Sequence, residues 1–240
     1  MGQAAAVARL RAKLNNDDIA WRQRNVILVA LGDSVTQGLT LNPALLHEET
    51  YHALLRRELA RAFPERTFSS INAGVGGESA AAGLARLQSD VLDHHPDIVT
   101  VAFALNDSGG GEAKLESFAA SLREIVTRVS ASGAFVVLMT PNMMATRDNG
   151  RVDPKFADRL PAFIERQTSG VLARYAQAVR NVGAQTGTPV ADVYAEWERR
   201  EAAGEDMIAH LANGINHPDA YGHQLACGLL LRVVLAAVKG

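Results

Sequence analysis

A single cysteine, Cys227, stands in 240 residues, so no intrachain disulfide braces the fold. It falls in the apolar run 225–238, where a buried, inert thiol is expected. Charge of either sign is scarce in excess: 24 Lys and Arg against 26 Asp and Glu leave a net charge of −2. With no basic field to neutralise a phosphate backbone, nucleic acid is not an expected partner. No apolar segment reads as long enough to cross a bilayer, so membrane insertion is not expected either. The first 25 residues carry Arg9, Arg11, Lys13, Asp17 and Asp18 and lack the apolar stretch of a secretory leader. A cytoplasmic location follows as the default, although a mature secreted chain would read the same way. Metal-ligand spacings are missing as well: there is no His-Glu-x-x-His, no cysteine pair and no compact carboxylate cluster. The chain is therefore expected to work without a metal or other cofactor.

What is present is an alternation of strands and helices. The length suits one domain over residues 1–240, with 1–25 as a helical extension in which Val7, Leu10 and Leu14 recur at helical spacing. Five apolar runs read as strands: Val26–Leu31, Thr67–Ile71, Ile98–Phe103, Phe135–Met139 and Pro189–Val193. Between them lie helical faces. Leu84, Leu87 and Val91 form one; Leu115, Phe118, Leu122, Ile125 and Val129 another; Val171, Tyr175, Ala178 and Val182 a third. A last helix is expected from about Ala220 to Val238. Such alternation implies right-handed crossovers and a three-layer α/β/α fold: a flavodoxin-like, doubly wound, five-stranded parallel sheet of order 2-1-3-4-5. The stretch 140–161 reads as a long irregular loop.

The polar motifs fall at strand ends. Gly32-Asp33-Ser34 follows the first strand, Asn72-Ala73-Gly74-Val75-Gly76-Gly77-Glu78-Ser79 the second, and Asn106-Asp107 the third. Asn213-Gly214-Ile215-Asn216-His217-Pro218 precedes the last helix. A parallel sheet gathers such loops on one side. Ser34 offers a hydroxyl that needs a base to become a nucleophile, and His217 is that base at neutral pH. The glycine-rich loop and the Asn106 amide offer donors for an oxyanion. The glycine run lacks the third glycine of a dinucleotide fingerprint and the lysine of a P-loop.

Together, Gly32-Asp33-Ser34, the glycine after Asn72, Asn106-Asp107 and His217-Pro218 resemble the SGNH, or GDSL, hydrolase superfamily, in order and over most of the chain. The resemblance implies a serine ester hydrolase with Ser34 as nucleophile and His217 as base. It implies an oxyanion hole of the Ser34 and Gly77 N–H groups and the Asn106 side chain. A short acyl ester, such as acetate on a carbohydrate, is the first substrate expectation; longer acyl esters or thioesters are the alternative, and a non-catalytic binding protein on the same scaffold is another. Asp33, Asp107 and Met143 are candidate substrate contacts. Self-association is compatible with the sequence and is not specified by it.

Two positions depart from the family pattern. Ala104 stands where the third block usually has glycine. Gly214 stands where an aspartate usually precedes the histidine by three residues. Asn213 is then the candidate orienter of His217. A backbone carbonyl, leaving a Ser-His dyad, is the alternative, and Asp192 and Asp206 are more distant ones.

Overall fold

The computed structural model describes residues 2–15, 20–41 and 44–239. In chain order its main elements are α1 (Gln3–Asn15), β1 (Asn25–Gly32), α2 (Ser34–Gln37), α3 (Tyr51–Ala62), β2 (Thr67–Gly74), α4 (Ala80–Ala85), α5 (Leu87–Asp90) and β3 (Ile98–Ala102). They continue with α6 (Leu115–Ala131), β4 (Phe135–Met139), α7 (Leu160–Thr168), α8 (Val171–Thr186), β5 (Val190–Ala191), α9 (Val193–Ala202) and α10 (Ala220–Lys239). The five strands form one parallel sheet of order β2-β1-β3-β4-β5.

Alternation along each strand sends side chains to two separate cores. Val26, Leu28, Ala30, Ile98, Phe135 and Val137 enter one, covered by α1, α3 and α10. Val29, Leu31, Val99, Val101, Val136 and Leu138 enter the other, against α4, α6 and α8. Both faces are apolar, so the central strands read as unbroken hydrophobic runs. The register aligns the strand ends: Gly32 pairs with Gly74 on one side and with Ala102 on the other. Three of the motif loops therefore leave the sheet from one row.

Three sequence expectations change. The single helix expected through Leu84, Leu87 and Val91 is broken into α4 and α5 at Arg86, which takes φ −99° and ψ 7°. Its side chain reaches back to two strand-end carbonyls, those of Gly32 and Ala73. The fifth strand shrinks to two residues because Asp192 already caps α9, its carboxylate accepting the Ala195 N–H. The expectation that no segment is long enough to cross a bilayer also fails for α10, which has 20 residues and a mean hydropathy of 1.5. This helix lays His223, Ala226, Cys227, Leu230, Val234 and Val238 as a seam on the first core, the pattern of a helix covering a sheet. Within the expected N-terminal extension, α1 buries Ala6, Leu10 and Leu14, while residues 16–19 lie outside the described residues.

Candidate active site

Ser34 is placed by a close contact between β2 and α2. A side chain on Gly74 would come within 2.2 Å of the Gln37 amide nitrogen and 2.6 Å of the Thr36 carbonyl carbon, so only glycine lets the strand end approach this helix. Asp33 caps α2, its Oδ1 accepting the Val35 N–H at 2.9 Å. Ser34 is thus the first helical residue rather than the cap. Its N–H has no acceptor a turn behind it within the helix. Below, Thr36 Oγ1 meets the Tyr51 hydroxyl at 2.9 Å, and the Tyr51 N–H donates to His223 Nδ1 at 3.2 Å. These bonds tie the helix carrying Ser34 to α3 and α10.

From the far end of the chain, His217 brings Nε2 to 2.9 Å from Ser34 Oγ. Its Nδ1 lies 3.0 Å from the carbonyl oxygen of Thr40. A carbonyl only accepts, so Nδ1 carries the proton and Nε2 presents its lone pair to the serine hydroxyl. Burial lowers the His217 pKa, against the opposing effect of the Thr40 carbonyl. The ring is therefore neutral at pH 7.

Asn213 does not orient this ring. Its Oδ1 accepts the N–H groups of Ile215, Asn216 and His217, and its Nδ2 donates to Asn216 Oδ1. It shapes the loop backbone, and the alternative of a backbone carbonyl describes the geometry found. Asp192 and Asp206 are engaged elsewhere, by Arg180 and Arg147 respectively. Gly214 has φ +72°, and a side chain there would meet Asn149 Oδ1 at 2.7 Å and Val152 N at 2.9 Å. The loop around Val152 thus fills the space an aspartate would need.

On the opposite side, Gly77 (φ +81°) and Asn106 line the same cavity as Ser34 and His217. Asn106 Nδ2 donates one hydrogen to the Glu78 carbonyl at 3.0 Å, which fixes the amide and leaves its second hydrogen available. The cavity measures about 240 Å³. Leu39, Leu41, Phe156, Phe163 and Ile215 give it apolar walls, and Asp153 and Arg159 add charged groups.

The three expected substrate contacts are corrected. Asp33 is 2% exposed and lines, with His223, a small pocket other than the one at Ser34. Burial there raises its pKa to about 7. Asp107 spends its carboxylate on two backbone amides, those of Ala80 at 2.9 Å and Ala104 at 3.2 Å. Met143 is buried in the core under the 140–161 segment.

Sequence reasoning missed Arg86. Its guanidinium donates to the carbonyls of Gly32 (3.0 Å) and Ala73 (2.8 Å) and to the Glu78 carboxylate (2.6 Å). It therefore clamps the ends of β1 and β2 and the residue that holds Asn106. It also missed the Thr40 carbonyl, which has no side-chain signal, and Phe156, Arg159 and Phe163 of the post-β4 segment. Their only signal was their place after a strand at the motif edge. Among the described residues, no three His, Cys, Asp or Glu side chains gather as a metal set would.

Comparison with known proteins places the chain by family and fold. Esterase TesA of Pseudomonas aeruginosa is 30% identical over 114 residues, 47% of this chain. That match spans 52% of the length of the esterase. LAE5, an alpha/beta hydrolase enzyme from the metagenome of Lake Arreo in Spain, superposes with a TM-score of 0.66 at 26% identity, covering 89% of this chain and 95% of its own. Axe2, an acetylxylan esterase from Geobacillus stearothermophilus, shares the fold with a TM-score of 0.66 at 24% identity, covering 87% of this chain and 94% of its own. The profile of the GDSL-like Lipase/Acylhydrolase family matches residues 30–225, a span that holds Ser34, Gly77, Asn106 and His217 together. With that span covering most of the sequence and both cores of the sheet, the chain belongs to the GDSL-like lipase/acylhydrolase family.

Proposed function

We propose that the protein hydrolyses carboxylic esters through an acyl-serine intermediate. The observation that carries this reading is the 2.9 Å contact between Ser34 Oγ and His217 Nε2 at an apolar-walled cavity. As Ser34 Oγ attacks the ester carbonyl, its proton passes to His217 Nε2. The carbonyl π pair moves onto oxygen, where the Ser34 and Gly77 N–H groups and the Asn106 amide act as donors. The tetrahedral intermediate collapses, the alcohol leaves with the proton from Nε2, and the acyl group stays on Oγ. Water then repeats the sequence: His217 takes its proton, and the acid departs as Oγ recovers one. The imidazolium formed at each stage keeps its Nδ1–H on the Thr40 carbonyl rather than on a carboxylate.

For the acyl group, the apolar walls support a chain of several carbons, because an acetyl group leaves most of the 240 Å³ unfilled. Acetyl esters are the second reading, supported by the fold shared with an acetylxylan esterase. A chain-length series of para-nitrophenyl esters on wild type and Ser34→Ala tests both. The expected result is a kcat/KM maximum above two carbons, with turnover lost in Ser34→Ala and an unchanged circular dichroism spectrum. An organophosphonate probe should label Ser34, as read by peptide mass spectrometry. Turnover that survives Ser34→Ala, or a wild-type Ser34 inert to the probe, rejects hydrolysis by this serine and leaves a binding protein.

A further inference from the structure

The cavity beside Ser34 is not electrically neutral. Its ionisable lining groups are Asp153, Arg159 and His217, and His217 is uncharged at pH 7 by the argument above. The Asp153 carboxylate is already matched: the Lys155 ammonium lies 2.8 Å from Oδ2 and the Lys155 N–H donates to Oδ1. Arg159 has no such match. Among the arginines whose side chains are described, only Arg128, Arg159 and Arg232 neither donate a hydrogen bond nor meet a carboxylate. Of these three, only Arg159 lines the cavity. Its guanidinium stands 5.2 Å from the centre of the Phe156 ring, itself a cavity wall. An arginine held over an aromatic face keeps its planar fork of donors open to a carboxylate or phosphate.

The position also has chemical meaning. Arg159 ends the short 3-10 helix Pro154–Arg159 of the post-β4 segment, which also supplies Phe156, while Phe163 follows in α7. One segment thus brings two apolar rings and a cation to the cavity that holds Ser34.

We propose that Arg159 selects esters that carry, besides the scissile bond, an anionic oxyacid group, a carboxylate or phosphate. This substrate class rests on the hydrolase reading of Ser34 and His217. The solvent exposure of Arg159 makes the effect modest: about two- to fivefold in kcat/KM.

Two matched ester pairs test it. On the acyl side, para-nitrophenyl pentanoate is compared with mono-para-nitrophenyl glutarate, in which a carboxylate replaces the terminal methyl. On the alcohol side, butyl butanoate is compared with butanoyloxybutanoate, which carries the same replacement. In one pair the wild type should favour the anionic member, and Arg159→Gln should lower the anionic-to-neutral ratio about two- to fivefold. Arg159→Glu should lower it further, and added salt should compress the wild-type preference. Equal ratios in wild type and Arg159→Gln for both pairs overturn the assignment. Calorimetric titration with glutarate and with inorganic phosphate separates this inference from the catalytic one, because it needs no turnover. Binding of either anion about two- to fivefold weaker in Arg159→Gln upholds the site even if neither ester is cleaved, and identical binding of both anions removes it.

Discussion

The carboxylate of Asp107 accepts the backbone N–H of Ala104 at 3.2 Å, and Ala104 sits at φ +124°. That conformation is open to glycine and strained for alanine, at a cost of about 1–3 kcal/mol. Ala104 is also fully buried at the end of the third strand, two residues before Asn106. The Asp107 bonds to Ala80 and Ala104, together with the Ser108 N–H on the Ala104 carbonyl, hold the strained backbone in place. Ala104→Gly should relieve the strain. Glycine's larger freedom in the unfolded chain takes back up to about 1 kcal/mol, so the expected gain is about 1 kcal/mol. Chemical denaturation reads it directly. An Ala104→Gly protein less stable than wild type would show that the methyl group packs better than the backbone is strained.

Arg86 reaches three acceptors that border the site, so its loss should be felt in both stability and rate. Arg86→Ala strands the Glu78 carboxylate and the carbonyls of Gly32 and Ala73, an expected loss of about 2–4 kcal/mol. Because Glu78 in turn holds Asn106, kcat should fall at least about tenfold with KM much less changed. Arg86→Lys should not rescue either quantity, since one ammonium cannot replace a planar fork that spans four acceptors, the Asp90 carboxylate among them. Full rescue by lysine would reduce the role of Arg86 to charge alone.

Gly214→Asp would place the family's usual residue three positions before the histidine, yet it should not build a triad. The position has φ +72°, and its side-chain space is occupied by Asn149 and Val152. The variant should lose about 2 kcal/mol or more from backbone strain and crowding. Its kcat should fall, because the loop that aims His217 must move. In the wild type, with a carbonyl on Nδ1 and burial lowering the ring's pKa, kcat/KM should rise through a single ionisation below the ordinary histidine value and stay level above pH 7. A Gly214→Asp enzyme that is faster, with this limb moved to higher pH, would mean the aspartate reaches Nδ1 after all.

Much of this arrangement is legible in the sequence for a simple reason. β1 and β3 are apolar on both faces, and the motifs carrying Ser34 and Asn106 begin where that pattern stops. A parallel sheet then has one edge on which to gather them. The rest depended on information that no residue type carries. The Thr40 carbonyl is a backbone atom, invisible to any side-chain pattern. Arg86 looks like a surface helix residue until the helix breaks and turns it inward. Asp33 reads as a solvent-facing acid at a strand end, and only the packing of α3 and α10 beneath α2 shows that it faces inward. Met143 lies in the segment 140–161, whose course follows from tertiary contacts rather than from a periodic pattern.

The buried ionisable groups under α2 set how stability responds to pH. Burial lowers the pKa of His52 to about 4 and that of His223 to about 3, from 6.5 in each case. In both, the unfolded chain binds the extra proton, so their contribution is complete above pH 6.5 and is lost as pH falls toward the folded values. Asp33 acts in the opposite sense. Its pKa rises from 3.8 to about 7, so the folded state holds the extra proton. Its contribution is complete below pH 3.8 and is lost as pH rises through 7. Between pH 5 and 6.5 two histidines oppose one aspartate, leaving a net loss of about 1 kcal/mol per unit of acidification. The lowered pKa of His217 adds to the same side. Stability should therefore be nearly level from pH 8 to 6.5 and fall by about 1–2 kcal/mol by pH 5. Asp33→Asn keeps a residue able to cap α2 and removes the opposing proton. Its loss over the same window should steepen to about 2 kcal/mol per unit. Denaturant titrations of both proteins from pH 5 to 8 measure the two slopes. Equal slopes would mean that Asp33 reaches solvent, and with it the buried arrangement of Asp33 and His223 near Ser34 would fail.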